Sequence, residues 1–214
     1  MGQYCSHDVV YGRQFLALGA FALVSSITPG PNNLMLMASG TNFGFRRTIP
    51  HALGVSLGFG LMLAVVGAGL MQLLMAWPPA MVGLKVVASL YLVVLAVRIA
   101  RTPAERPAAS EDAPAGKPLS FIEAALFQWV NPKAWTMALT AISVFVPEEA
   151  PVSGVAHVVG AFIAVNLPSV SIWAFAGTQL RRWLESPVRM RAFNVTAGVL
   201  LLTTLYPIVR DTFG

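Results

Sequence analysis

Charge is what this sequence has least of. Only 11% of its 214 residues are charged, against 56% that are hydrophobic. A soluble domain carries about 25% charged residues, so there is too little charge here to clothe a water-facing surface, and the mean hydropathy of +0.69 agrees. Cysteine is nearly missing. Cys5 is the only one, which excludes an internal disulfide and a cysteine-based metal site. Acids inside the apolar runs are scarcer still, with Glu123 alone among them. There is no HExxH pair, no GxxxxGK[ST] loop and no acid pair at metal-binding spacing. Ser25-Ser26 lacks a convincing base. No catalytic residue, metal or cofactor is therefore expected. The pI near 9.9 does not point to nucleic acid, because the basic residues are spread over short loops instead of gathered on a polar face with aromatics. The segment 8–13 is short and mixed, and the apolar run behind it is too long for a signal-peptide core, so no cleavable signal is expected.

What the chain does have is long apolar runs. A membrane-spanning helix takes roughly 20 mostly apolar residues. Six runs qualify, at about 14–38, 49–77, 80–99, 121–146, 152–177 and 192–209. The expected fold class is an all-α integral membrane protein, one membrane domain over 1–214. Residues 102–118, rich in Pro, Ala and mixed charge, read as a linker between a first half at about 14–99 and a second at about 121–209. Ten of the 14 basic residues fall in the loops after the first, third and fifth runs: Arg46, Arg47, Arg98, Arg101, Arg106, Lys117, Arg181, Arg182, Arg189 and Arg191. Such loops are cytoplasmic by the positive-inside rule, which puts both termini outside. Three spans per half invert the second half against the first, giving a 3+3 inverted repeat, a common plan of secondary transporters.

Two of the runs are interrupted. The first contains Thr28-Pro29-Gly30-Pro31-Asn32-Asn33. Two prolines remove two backbone donors and clash with preceding carbonyls, so a continuous helix is not expected. Freed backbone groups are costly in hydrocarbon and belong against protein or a water-filled cavity. Pro31 suits the first turn of a resumed helix, whose N–H groups would make a seat for a carboxylate, with Asn32 and Asn33 adding donors and acceptors. The fourth run contains Gln128-Trp129-Val130-Asn131-Pro132-Lys133 at the corresponding place. Paired breaks in matching segments point to a transporter site near the bilayer midplane, and a lysine as deep as Lys133 faces a cavity or a partner. The expected substrate-binding residues are thus Pro29, Gly30, Pro31, Asn32, Asn33, Asn131, Pro132 and Lys133.

Coupling or gating roles are open to Glu123, Asn166 and Tyr91. Glu123 reads equally well as an interfacial acid in a first helical turn, and Tyr91 as a belt or cavity hydroxyl. Asn166-Leu167-Pro168 is a candidate further break. Gly54 and Gly58 suit close helix contact. His51 and His157 are isolated and read as structural.

At these residues the chain resembles the LysE/RhtB family of amino-acid exporters. The likeness rests on Ile27-Thr28-Pro29-Gly30-Pro31-Asn32-Asn33, Gly44-Phe45-Arg46-Arg47, Gly54-Val55-Ser56-Leu57-Gly58, Leu84-Lys85 through Tyr91-Leu92, and Asn131-Pro132-Lys133-Ala134. It departs from the usual pattern at Thr48-Ile49-Pro50-His51, at Ala88 and Ala96, and at Glu123-Ala124. The resemblance implies an exporter of amino acids or derivatives in the bacterial inner membrane, driven by a proton or ion gradient. Its expected partners are a small-molecule substrate and the lipid bilayer, with a homodimer left open. A membrane enzyme on lipids or peptides would want a clustered acid, His or Ser constellation. A non-transporting scaffold would explain the glycines but not two polar breaks at matching depth.

Overall fold

The computed structural model describes residues 2–70, 76, 78–103, 117–148, 150–206 and 210, with side chains from residue 14 onward except those of Pro78 and Met81. The expected linker at 102–118 lies almost wholly outside the described residues, as do Arg106 and Glu149. The described residues form eight α-helices: α1 Gly2–Ile27, α2 Pro31–Phe43, α3 Phe45–Val65, α4 Pro78–Ala100, α5 Phe121–Phe127, α6 Pro132–Phe145, α7 Pro151–Leu180 and α8 Pro187–Thr203. A wider helical turn, Val66–Leu70, continues α3, and tight turns follow α5 at Gln128–Val130 and α7 at Arg181–Trp183. No strand occurs among the described residues.

Three segments are long and apolar enough to cross a membrane: Phe45–Leu70, Val82–Ala100 and Pro151–Trp183. The first and fourth expected runs are each divided by their prolines. Pro29 disfavours helix at the residue before it, and α1 ends at Ile27. Pro31 then opens α2 and Pro132 opens α6, each in the first helical turn, where the missing N–H costs nothing. Asn131, the residue before Pro132, is extended at φ −90° and ψ 111°.

The candidate break at Asn166-Leu167-Pro168 is absent, because α7 runs through Pro168 without interruption. A single proline deletes one backbone bond, a loss that α7 absorbs at Pro168. The hydroxyls of Ser169 and Ser171 fold back onto the Val165 and Leu167 carbonyls at 2.7 Å.

Helix α7 is the central post. Helices α1, α2 and α3 pack along it, α5 packs on α3, and α4 pairs with α8. The α2–α7 crossing depends on two glycines. A Cβ on Gly40 would strike the Ala174 carbonyl, and one on Gly177 the Met37 carbonyl. Thr41 Oγ1 donates to the Gly177 carbonyl across the gap at 2.9 Å. The Gly54/Gly58 pair serves α5 in the same way: a Cβ on Gly54 would meet the Phe121 carbonyl, and one on Gly58 the Ala125 backbone at 2.5 Å. Small residues that let backbones approach are the general means of helix packing in lipid. Gly40→Ala or Gly177→Ala is expected to cost about 1–3 kcal/mol by overpacking. Thermal denaturation of detergent-purified protein would show it as a lowered midpoint. Gly160→Ala, with open space around its Cβ position, should leave the midpoint unchanged.

Two apolar clusters fill the interior. One gathers Leu36, Val55, Leu92, Phe127, Val170 and Leu201; the other gathers Phe59, Met62, Leu63, Ala138, Val158 and Phe162. The outer faces are apolar as well, with Leu16, Leu90, Val94, Ile122, Val144 and Ile172 all largely exposed. Exposed apolar area on that scale marks a surface meant for something other than water. Here it faces lipid, and the chain is a multi-pass membrane protein.

Candidate functional site

The site is built where the two helix breaks meet. At the first break α1 stops and leaves carbonyls without helical partners. Side chains from three other places supply them. Asn33, in the first turn of α2, gives its amide nitrogen to the carbonyls of Ser26 and Thr28, each at 2.8 Å. Trp173 of α7 donates its indole N–H to the Ile27 carbonyl at 3.0 Å. Lys133 of α6 reaches across from the second break and donates to the Thr28 carbonyl at 2.7 Å and to Thr28 Oγ1 at 2.9 Å. A cation is favoured at that place twice over, by its two hydrogen bonds and by the negative end of the α1 dipole. Gly30 makes room for the lysine stem, since a Cβ there would lie 2.7 Å from Lys133 Cδ.

A second bridge joins the breaks. Asn32 and Gln128 exchange reciprocal amide bonds at 2.8 and 3.1 Å, and Gln128 Nε2 also donates to the Ala124 carbonyl at 2.9 Å. Gln128 is wholly buried. Asn131 is the cap of α6, its side-chain oxygen accepting from the Lys133 backbone N–H at 3.1 Å. Behind the breaks lies a small polar cavity of about 20 Å³, lined by Ser26, Asn33, Asn131 and Asn166 among others, enough for about one water. Asn166 donates to Ser26 Oγ at 3.0 Å, while its own carbonyl oxygen is buried without a protein partner.

In front of the breaks opens a larger cavity of about 460 Å³. Its walls include Pro29, Gly30, Pro31, Pro132 and Lys133, together with Lys85 and Ala88 of α4, Trp129, and Trp135 and Thr136 of α6. That volume falls within the range of small-molecule sites, about 300–1,000 Å³. The first turn of α2 borders it, and no side chain caps that helix end. Among the described residues, Lys85 and Lys133 are the ionisable groups of the lining. Trp135 donates its indole N–H to the Trp129 backbone carbonyl at 2.8 Å, and the two rings meet edge to face with centroids 6.4 Å apart. A site of this kind can accept a carboxylate on its cationic side and an apolar body against the tryptophans.

Of the residues expected from sequence, Pro29, Gly30, Pro31, Asn32, Asn33, Asn131, Pro132 and Lys133 are thus brought together at the two breaks. Asn33 faces the α1 carbonyls, and Asn32 is engaged with Gln128. Glu123 lies apart. Its carboxylate accepts from the Ser120 backbone N–H at 2.7 Å and from Arg98 at 3.2 Å, a capping box joined to an ion pair at the start of α5. Tyr91 packs on Phe127 with ring centroids 5.9 Å apart. Sequence reading did not select Gln128, Lys85, Trp129, Trp135 or Trp173. The signals available were a lysine within an otherwise apolar run, as Lys85 is, and the place of Gln128 and Trp129 in the second break.

The sequence profile of the LysE type translocator family matches residues 23–204, which include both breaks. The chain belongs to that family. Its relatives include the cysteine/O-acetylserine efflux proteins of Escherichia coli strain K12 and of Shigella flexneri serotype 5b. Each is 33% identical over 188 residues, covering 87% of this chain and 92% of the relative. No solved structure matches. As a LysE type translocator the chain is a transporter and not an enzyme.

Proposed function

We propose that this LysE type translocator exports a small α-amino acid with an uncharged side chain, cysteine and O-acetylserine being the nearest candidates, across the bacterial inner membrane. The observation that carries this reading is the Lys133–Thr28 closure. It joins the two helix breaks beside a 460 Å³ cavity whose ionisable lining, among the described residues, is Lys85 and Lys133. The substrate carboxylate sits between Lys133 and the uncapped first turn of α2, where dipole and ammonium act together. Backbone carbonyls near Asn131 accept from the substrate ammonium, and Trp129 and Trp135 hold the side chain. Two lining lysines disfavour a basic substrate by like-charge repulsion. The relatives named for cysteine and O-acetylserine efflux support the same class.

The reading includes six spans arranged as inverted halves of three, 14–99 and 121–209, with the basic loops in the cytoplasm and both termini outside. Export is coupled to the proton gradient, with Lys133 exchanging a proton as the substrate carboxylate arrives and leaves. The test is efflux of a labelled amino-acid panel from expressing cells. Cysteine and O-acetylserine are expected to leave faster than from control cells, lysine and arginine at the control rate, and a protonophore should abolish the difference. Efflux of the basic amino acids alone would sink the substrate assignment, and no stimulated efflux of any member would sink the export reading.

A further inference from the structure

A second cavity, of about 380 Å³, lies at the end of the bundle that carries the basic loops. It is walled by α2, the start of α3, the end of α4 and residues 117–119. Among the described residues its charge is one-sided. Arg98, Arg101 and Lys117 line it, while Glu123 does not. Arg98 is already occupied by Glu123 at 3.2 Å and the Lys117 carbonyl at 3.3 Å. Arg101 and Lys117 have no acidic partner among the described residues. Deeper in the wall is His51, 1% exposed, and neither of its ring nitrogens has a hydrogen-bond partner. Buried polar groups are nearly always paired, so a wholly buried imidazole with two free nitrogens on a cavity wall asks for a ligand. The remaining wall is largely apolar, with Met35, Leu95 and Leu119 among it.

We infer that this cavity is a loading site for the exported amino acid, distinct from the site at the helix breaks. The carboxylate is drawn to Arg101 and Lys117 at the rim, the apolar wall receives the side chain, and the ammonium pairs with a His51 ring nitrogen once the wall shifts to uncover it. The site would gather substrate from the cytoplasm before the breaks rearrange. Its place on the export path rests on the function and orientation proposed above, whereas its preference for an anion does not.

Two measurements separate these. In a Cys5→Ser background, Thr102→Cys puts a half-buried thiol on the cavity wall. A negatively charged methanethiosulfonate reagent is expected to label it about tenfold faster than a positively charged one of similar size, by electrostatic focusing. Arg101→Gln with Lys117→Gln, both at the surface, should bring the ratio to about one. Equal rates in the parent protein would overturn the anion site whatever the protein transports. The second measurement is uptake of labelled O-acetylserine into inside-out vesicles, which is export in reverse-mounted membranes. The double variant and His51→Ala should each raise KM about tenfold, with maximal velocity within twofold of the parent. An unchanged KM in both would overturn the loading role. A rise confined to vesicles containing anionic lipid would assign the cavity to a lipid headgroup and likewise overturn it. Absence of uptake in the parent would instead fault the export reading, leaving the labelling ratio to judge the anion site alone.

Discussion

Lys133→Met is expected to lower the initial rate of amino-acid export about a hundredfold while the protein still inserts and folds. Methionine keeps most of the stem that fills the space beside Gly30 and removes the ammonium. Three things go with it. The Thr28 hydroxyl loses its lysine donor and the Thr28 carbonyl one of its two donors, Asn33 remaining, the end of α1 loses its compensating cation, and the cavity in front of the breaks loses one of its two positive groups. A charge-assisted hydrogen bond contributes about 1.5–3 kcal/mol, and each 1.4 kcal/mol is a factor of ten, so loss of the substrate contact alone accounts for up to about a hundredfold. Lys133→Arg is expected to recover only part of it, because the planar guanidinium on a longer stem does not fit the pocket that Gly30 leaves for a slender chain. The measurement is proteoliposome counterflow, normalised to reconstituted protein. Parent-like export by Lys133→Met would remove Lys133 from the site.

The next largest effect is expected from the amide bridge. Asn32→Leu and Gln128→Leu should each slow export at least tenfold, and the double variant should be no slower than the worse single one. Each single change leaves the other amide without its reciprocal partner, in a place where Gln128 is wholly buried. The double change removes both polar groups at once. Polar contacts between membrane helices average only about 0.6 kcal/mol and reach about 1.7, so the fold should survive each variant. What the bridge fixes is the distance between the two breaks. A strictly additive double variant would mean that the residues act separately and that the bridge does not set that distance.

Much of this was legible in the chain before any coordinates. Three of the six expected runs appear as helices long and apolar enough to cross a membrane, legible because lipid demands an unbroken apolar length, and the breaks at Pro29-Gly30-Pro31 and Pro132 are legible because proline has no backbone donor. Pro29, Pro31 and Pro132 each mark a helix end within a residue or two. Pro168 shows the limit of that reasoning: the same residue in α7 leaves the helix whole, whereas the single Pro132 opens a new helix after an extended Asn131, so a lone proline does not by itself decide between them. Partners across the fold were not legible. Asn32 meets Gln128 at a separation of 96 positions and Lys133 meets Thr28 at 105, and neither hydropathy nor spacing encodes such a choice. Glu123 could be read from sequence as the first-turn acid it is, because Ser120 stands three residues before it, but Arg98 as its ion partner could not. His51 was read as a structural histidine. What sets it apart is an absence of partners, which only the packed structure reveals.

Substrate protection at the cavity wall tests most directly whether the two breaks enclose the translocated amino acid. Thr136 lines the cavity and its hydroxyl bonds only back to the Pro132 carbonyl at 3.1 Å, so Thr136→Cys in a Cys5→Ser background should be tolerated. Saturating O-acetylserine is expected to slow thiol labelling at this position about tenfold, and Lys133→Met should abolish that protection. Labelling that proceeds at the same rate with and without substrate, in vesicles that still transport it, would contradict a substrate site at the breaks.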